Sequence, residues 1–198
     1  MSNEELASRA GGCTMNRRIL HDNPWLQLVE LRAPDREING YVISHESRCN
    51  GQIVAVLPSR SVPVPRYMYP DQYLLRHEVC PPWGIDPVAC AITGGMDHVG
   101  ESPLDVAVRE LYEEAGYRVD PKMFTSLGTC RGTKSTDTIF HLFHVDLTGK
   151  EPEEAPGDGS RLEAEAWCEW HEKNISQSPD PLVSIMWLRL RLWRADDR

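Results

Sequence analysis

The chain contains 198 residues, 40% of them hydrophobic and 26% charged, which is enough for one compact domain with extensions. Its formal net charge of −9 argues against broad binding of nucleic acid, because affinity for that polyanion comes mainly from Lys and Arg at the phosphates. Residues 1–13 lack the apolar core of a secretion signal, and Arg189 and Arg191 interrupt the apolar stretch near Met186. The sequence therefore predicts a soluble cytoplasmic protein without membrane or nucleic-acid partners.

The cysteines are even in number, but they are dispersed along the chain and form no Cys-x-x-Cys pair. We therefore expect reduced thiols, and no neighbouring motif marks any of them as a nucleophile. They are Cys13, Cys49, Cys80, Cys90, Cys130 and Cys168.

The N-terminal region is predicted to be an extension of the main domain. Residues 1–18 resemble a polar leader, and apolar residues within 25–31 and 41–43 predict two strands. These strands could form a hairpin around a turn at 34–40. We therefore place a leader and a β-hairpin in residues 1–48 and the main domain in residues 49–198.

Short apolar runs predict five further strands, at residues 52–58, 72–77, 89–93, 138–145 and 164–170. The first two are separated by a proline-rich stretch, 61–71, which is expected to be a loop insertion. A helix is predicted at about 180–193. Strands on both sides of a central helix, with a second helix at the end, predict an α/β fold with a mixed sheet between helical layers.

The central helix has clear start and stop signals. Ser102 can cap it, Pro103 suits its first position, and Asp105 completes a capping box. An apolar stripe follows at three- and four-residue intervals, and Gly116 suits a left-handed end. The sequence therefore predicts a helix of three to four turns that begins at about Pro103.

Three carboxylates project from one side of this helix. At roughly 100° per residue, Glu110, Glu113 and Glu114 lie within about a 100° arc. Such crowding is costly without cations, and oxygen ligands favour Mg²⁺ or Mn²⁺ over zinc. Glu101 precedes the helix and could reach the same ions, and Arg109 could orient one carboxylate through a bidentate pair. The plainer alternative is a solvated helix face with ordinary charge pairs.

Residues 95–117 resemble the Nudix box, the signature of hydrolases of nucleoside diphosphates linked to another group. The family usually has Ile, Leu or Val at the last position, where this chain has Tyr117. The resemblance implies an α/β/α sandwich with a mixed sheet and makes residues 49–198 the Nudix domain. The matching residues are Gly95, Glu101, Arg109, Glu110, Leu111, Glu113, Glu114 and Gly116.

The resemblance also implies roles for the residues of the box. Glu113 and Glu114 would be the principal ligands of Mg²⁺, with Mn²⁺ as an alternative, and Glu110 and Glu101 would support them. Arg109 would organise these carboxylates. Gly94 and Gly95 would let the backbone approach the diphosphate closely, because neither has a side chain.

Substrate contacts and the proton acceptor are less defined by the sequence. Arg76 and Arg131, together with Lys134, are candidates for phosphate contacts, and ordinary surface charge is their alternative interpretation. The acidic stretch 151–165 offers Asp158, Glu163 and Glu165 as the general base, and the sequence does not choose among them; Glu163 serves as the working candidate. No histidine receives a catalytic role.

Substrate choice is predicted from two weaker resemblances. Asn23, Pro24 and Trp25, followed by a hairpin, are similar to the ADP-ribose and nucleotide-sugar pyrophosphatase branch, whose N-terminal β element often joins a homodimer. The segment 135–138 is similar to the loop after the box in that branch, although 131–134 departs from its usual Ser-Pro-Gly turn.

Three hypotheses follow about activity. The first is metal-dependent hydrolysis of ADP-ribose or a nucleotide sugar to a nucleoside monophosphate and a phosphorylated remainder. The second is a Nudix hydrolase of nucleoside triphosphates or dinucleoside polyphosphates. The third is a Nudix module that senses a nucleotide without cleaving it.

Overall fold

The computed structural model describes residues 8–10, 13–33, 37–62, 71–156, 166–172 and 175–196. The chain forms two compact units: Met1–Gln52 with Arg131–Phe140, and Ile53–Cys130 with His141–Arg198. The predicted division into 1–48 and 49–198 stays a prediction.

The first unit contains a four-stranded antiparallel sheet. Its strands are β1 (Ser8–Ala10), β2 (Cys13–Asp22), β3 (Gln27–Ala33) and β4 (Ile38–His45), and they pair in this order. Strands β3 and β4 confirm the predicted hairpin.

Strands β1 and β2 lie where the sequence predicts a polar leader. Charged residues of β2 pair across the sheet with β3, for example Arg18 opposite Glu30, and these two side chains form a salt bridge. A strand stabilised by such cross-strand pairs gives little local signal, because its partner lies elsewhere in the chain.

The second sheet has seven strands. They are β5 (Gln52–Ser61), β6 (Asp71–Val79), β7 (Pro87–Cys90), β8 (Ile92–Gly95), β9 (Phe124–Arg131), β10 (Ile139–Asp146) and β11 (Trp167–His171). The main order is β11-β6-β5-β10-β9, while β7 pairs with β6 and β8 with β5. Strand β5 is antiparallel to β6 and β8. It is parallel to β10, since Ile139 N donates to Gly51 O and Leu147 N to Ser59 O, with residue numbers rising together.

Most of the predicted strands are present in this sheet. The run predicted at 89–93 is divided into β7 and β8 by Ala91, and β9 was not predicted. Its sequence, FTSLGTCR, contains a glycine and no sustained alternation of apolar and polar residues. Residues 63–70 of the predicted loop insertion lie outside the described residues.

Two α-helices occur within the described residues: α1 (Pro103–Ala115) and α2 (Pro181–Asp196). Both halves of the predicted capping box are formed, since Asp105 N donates to Ser102 Oγ and Ser102 N donates to Asp105 Oδ2. Gly116 ends α1 in the left-handed conformation, with φ of 76°. The predicted bounds of α1 and the α/β class with a mixed sheet are thus confirmed, and α2 extends three residues beyond its predicted end at 193.

Helix α1 packs its apolar stripe on the sheet. Val106, Ala107 and Leu111 are fully buried in one cluster with residues of β5, β8 and β10. Burying a side chain such as Leu111 contributes about 1.5–3 kcal/mol. This packing fixes the helix and leaves its carboxylate side at the end of β8.

The described cysteines Cys49, Cys80, Cys90, Cys130 and Cys168 are free thiols. Within the described ranges, no helix has both the length and the hydropathy needed to cross a bilayer.

Candidate active site

The site begins where α1 crosses the end of β8. Glu110, near the middle of α1, is only 7% exposed, and its side chain lies directly against Gly94 of β8. A Cβ atom at position 94 would overlap the Glu110 carboxyl group. Glycine is therefore required here by the close approach of helix and strand.

Arg109 holds three carboxylates together. Its Nε donates to Glu101 Oε1 at 3.2 Å, and its Nη1 donates to Glu110 Oε1 at 2.7 Å and to Glu113 Oε2 at 2.9 Å. Its Nη2 donates to the carbonyl oxygen of Gly95 at 3.3 Å. One guanidinium thus links the strand end, the loop before α1 and two turns of the helix.

The electrostatics of this cluster depend on burial. Burial raises the pKa of Glu110 to about 7; Arg109 opposes this shift, and the negative charges of Glu113 and Asp97 add to it. Burial works against the charge on Arg109, but its contacts with Glu101, Glu110 and Glu113 outweigh that effect and hold its pKa above the ordinary value. The cluster therefore carries more negative charge than one arginine neutralises.

The donor set fits a hard divalent cation. Among the described residues, Glu101 Oε2 is buried and accepts no hydrogen bond. An uncompensated buried carboxylate oxygen is costly, and a cation would remove that cost. Mg²⁺ and Mn²⁺ take carboxylate oxygens, so Glu101, Glu110 and Glu113 are suitable ligands.

Glu114 is held differently from the other box carboxylates. It forms an ion pair with Arg76 of β6, and both side chains are about nine-tenths buried. Arg76 also lies beside Glu78, with 3.2 Å between its Nε and Glu78 Oε2. In this arrangement Arg76 contacts carboxylates, and its predicted phosphate contact stays a prediction.

The sequence also predicted roles for Arg131, Lys134 and Glu163. Arg131 belongs to the first unit, where its Nη1 donates to the carbonyl oxygen of Asp137 at 3.2 Å. Glu163, with the alternatives Asp158 and Glu165, lies outside the described residues. Lys134 accepts a hydrogen bond from the Tyr41 hydroxyl through its backbone carbonyl.

Sequence reasoning missed Asp97, which is half-buried and raises the pKa of Glu110. It lies among the unspecified residues between Gly95 and Glu101, where the box pattern gives no reason to select it. The available signal was that Asp97 is an acidic residue close in sequence to the four box carboxylates, Glu101, Glu110, Glu113 and Glu114.

Comparisons with known proteins agree with this geometry. The family model for the NUDIX domain matches residues 59–187, which is more than half of the chain. The matched segment contains strands β6–β11 of the mixed sheet and the carboxylate helix α1. The chain belongs to the Nudix family and is a Nudix pyrophosphohydrolase.

Three solved structures illustrate the fold similarity. A structure of "ADP compounds hydrolase" matches with a TM-score of 0.65 and 16% identity, over 96% of this chain and 98% of that one. A MutT/nudix family protein from Enterococcus faecalis matches with a TM-score of 0.46 and 16% identity, over 60% of this chain and 42% of that one. The Nudix hydrolase RenU from M. Smegmatis matches with a TM-score of 0.44 and 21% identity, over 73% and 86%. No curated protein sequence matches significantly.

Proposed function

We propose that the chain hydrolyses the diphosphate linkage of a nucleoside diphosphate joined to another group, with ADP-ribose or a nucleotide sugar as substrate. The products are a nucleoside monophosphate and a phosphorylated remainder. The observation that carries this proposal is the convergence of Glu101, Glu110 and Glu113 on Arg109 beside the glycines that end β8.

The proposal includes a divalent cofactor, Mg²⁺ with Mn²⁺ as an alternative. Glu101, Glu110, Glu113 and Glu114 would hold it, and the unpartnered oxygen of Glu101 supports that assignment within the described residues. When bound, the ion supplies Lewis acidity and neutralises negative charge on the diphosphate.

The protein's own residues then position the substrate and the carboxylates. Arg109 keeps Glu101, Glu110 and Glu113 in one orientation, and Arg76 does the same for Glu114. Gly94 and Gly95 leave the backbone accessible to the diphosphate. Arg131 would bind a phosphate, and Glu163 would accept the proton of the attacking water.

The substrate class rests on the fold comparison and on the sequence resemblance. The match to a protein named as a hydrolase of ADP compounds extends over nearly the whole of both chains. That name supports an ADP derivative such as ADP-ribose over a nucleoside triphosphate. The sequence resemblance favours ADP-ribose or a nucleotide sugar, and nucleoside triphosphates and dinucleoside polyphosphates remain the alternative class.

We also propose that the protein forms a homodimer through its N-terminal sheet. Five large apolar side chains of this unit are 38–52% exposed: Ile19, Leu20, Leu28, Tyr41 and Val42. Leu28 and Val42 lie on one face of the sheet, since Leu28 is opposite Ser44 and Val42 is two residues from Ser44, and exposed apolar side chains on one face are typical of protein interfaces. Light scattering should give the mass of two chains, and a Leu28→Glu, Val42→Glu variant should give the mass of one. A monomeric parent protein would contradict the dimer.

The activity is tested by phosphate-coupled turnover with Mg²⁺. The substrates are ADP-ribose, nucleotide sugars, dinucleoside polyphosphates and nucleoside triphosphates, with the coupling phosphatase chosen to release phosphate from the products only. Glu114→Gln provides the blank, and Glu154→Gln, at an exposed position, is the matched control.

We expect cleavage of ADP-ribose or a nucleotide sugar, near-complete loss in Glu114→Gln and full activity in Glu154→Gln. Preferred cleavage of a triphosphate or dinucleoside polyphosphate would move the substrate assignment to the alternative class. Tight binding of a nucleotide without cleavage would indicate a sensing module.

A further inference from the structure

Three side chains away from the box converge on the second sheet: His77 of β6, and Glu169 and His171 of β11. The Nε2 atoms of the two histidines lie 3.0 Å apart. His77 Nε2 lies 3.4 Å from Glu169 Oε2, and the three potential ligand atoms are all within 4.8 Å of one another. The proposed reaction uses none of these residues.

We propose that His77, Glu169 and His171 bind a zinc ion that links the edge strand β11 to β6. A water molecule would complete a four-coordinate site. The site goes beyond the proposed hydrolysis, and neither its ligands nor its metal belong to the box.

The strand pairing explains why these residues meet although His77 and His171 are 94 positions apart in sequence. Strand β11 is antiparallel to β6, with Glu169 opposite Leu75. His77 lies two residues beyond Leu75, and His171 two residues beyond Glu169. Residues two apart share a face of a strand. His77 and His171 therefore lie on the same face of the sheet, one on each side of the Leu75–Glu169 pair, and their imidazole rings meet above that pair.

Two of the three ligand separations suit a tetrahedral ion, and the third, between Glu169 and His171, is within 4.8 Å. Zn–N and Zn–O bonds of about 2.0–2.1 Å give a separation of about 3.3 Å between two ligand atoms. The observed separations of 3.0 Å and 3.4 Å lie close to that value. A hydrogen bond between the two imidazoles alone would also explain the 3.0 Å separation of their Nε2 atoms, but it would give no role to Glu169.

The rings are already oriented by their neighbours. Trp167 stacks on His77 with 4.8 Å between ring centroids and an interplanar angle of 7°. The His77 and His171 rings are inclined by only 25°, with centroids 5.1 Å apart. Fixed imidazole planes reduce the conformational cost of metal binding.

The ligand types also favour zinc. Two imidazoles with one carboxylate suit Zn²⁺, whereas Mg²⁺ prefers oxygen ligands. The two sites should therefore bind different ions. The Glu169 side chain is 59% exposed, which leaves an entry path from solvent.

The test is zinc binding by the full, untagged, metal-free chain in excess Mg²⁺, which occupies oxygen-ligand sites. Competition with a chromophoric chelator should give one tightly bound Zn²⁺ per chain, and Zn²⁺ should raise Tm because it binds the folded state. His171→Ala and Glu169→Gln should each weaken binding by about 10- to 100-fold or more, the range found even for residues that only support a ligand. His21→Ala and Glu172→Gln, exposed and outside the cluster, are the matched controls.

A second group of possible ligands, Glu78, Cys80 and Cys90, makes a further control necessary. Cobalt substitution distinguishes the two, since ligation by nitrogen and oxygen gives tetrahedral visible bands without the near-ultraviolet band of a thiolate. Cys80→Ser should leave the zinc affinity unchanged, and so should the double variant Glu101→Gln, Glu113→Gln.

Zinc affinity in Glu169→Gln equal to that of the parent, a thiolate band, or loss of zinc in the double variant would each overturn the proposal. Glu169→Gln keeps the test decisive if His171→Ala fails to fold, because Glu169 is largely exposed. Circular dichroism verifies the fold of each variant.

Discussion

The carboxyl group of Glu110 occupies the space in which a side chain at Gly94 would begin. The helix that carries the box and the strand that precedes it are therefore in direct contact at these two residues. Glu110 is buried at this contact, and Arg109 Nη1 donates to its Oε1 at 2.7 Å. The absence of a side chain at position 94 thus determines where a candidate metal ligand lies.

Gly94→Ala should displace Glu110 and impair both stability and turnover. The added methyl group would overlap a buried carboxyl group, and overpacking of this kind typically costs about 1–3 kcal/mol of unfolding free energy. Chemical denaturation measures the loss of stability, and turnover with Mg²⁺ measures the displacement of the ligand.

A double-mutant cycle tests whether the overlap is with Glu110. In a Glu110→Ala background the obstructing carboxyl group is absent, so Gly94→Ala should cost less stability there by about 1 kcal/mol or more. Equal costs in both backgrounds would show that Gly94 is required for another reason.

Helix α1 could be predicted from the sequence because its determinants are local. Ser102, Pro103 and Asp105 define its beginning, and Gly116 defines its end, so no distant contact was needed. The carboxylate side of the helix follows from its period alone.

Long-range pairing explains what the sequence did not reveal. Strand β2 is stabilised by its pairing with β3, and β9 lacks a clear alternation of apolar residues. The ion pair of Arg76 with Glu114 depends on how β6 and α1 pack, and the meeting of His77 with His171 depends on strand register. The spacing of residues in the sequence reveals neither how β6 and α1 pack nor which residues of β6 and β11 lie opposite each other.

Arg109→Lys should lower kcat although it keeps the positive charge. A lysine has one ammonium group and cannot donate at once to Glu101, Glu110, Glu113 and the Gly95 carbonyl. Residues that orient metal ligands typically affect metal affinity or activity by about 10- to 100-fold. We therefore expect a loss of this size together with a higher Mg²⁺ requirement. Arg118→Lys, on the exposed pair with Glu153, is the control and should retain full activity.

The stability of the metal-free protein should fall as pH rises from about 4.5 to 7 because of Glu110. Its folded-state pKa of about 7 lies above the ordinary value of 4.5, so the folded state binds the proton more tightly than the unfolded state. The contribution is full below pH 4.5, decreases between 4.5 and 7, and is lost above 7. The difference corresponds to about 3 kcal/mol of unfolding free energy.

Glu110→Gln should remove most of this pH dependence, because the amide cannot ionise. Urea denaturation at pH 4.5 and pH 8 in a chelator measures the effect, with Glu154→Gln as the control for loss of one exposed carboxylate. If Glu110→Gln retained the same decrease in stability as the parent protein, the decrease would have to be assigned to other groups.

Tyr117 is the one departure from the box pattern, and its side chain should contribute more to the stability of the fold than to turnover. Its side chain is 5% exposed, and its ring meets Trp170 edge-on, with 6.5 Å between centroids. Tyr117→Leu, which restores the usual residue type, removes this aromatic contact and should cost about 1 kcal/mol of unfolding free energy. Because Tyr117 makes no contact with the Arg109 cluster among the described hydrogen bonds, kcat should remain within about twofold, equivalent to roughly 0.4 kcal/mol. Tyr112→Leu, at a half-buried tyrosine of α1, is the comparison. A large loss of kcat in Tyr117→Leu without a loss of stability would instead place Tyr117 in the catalytic machinery.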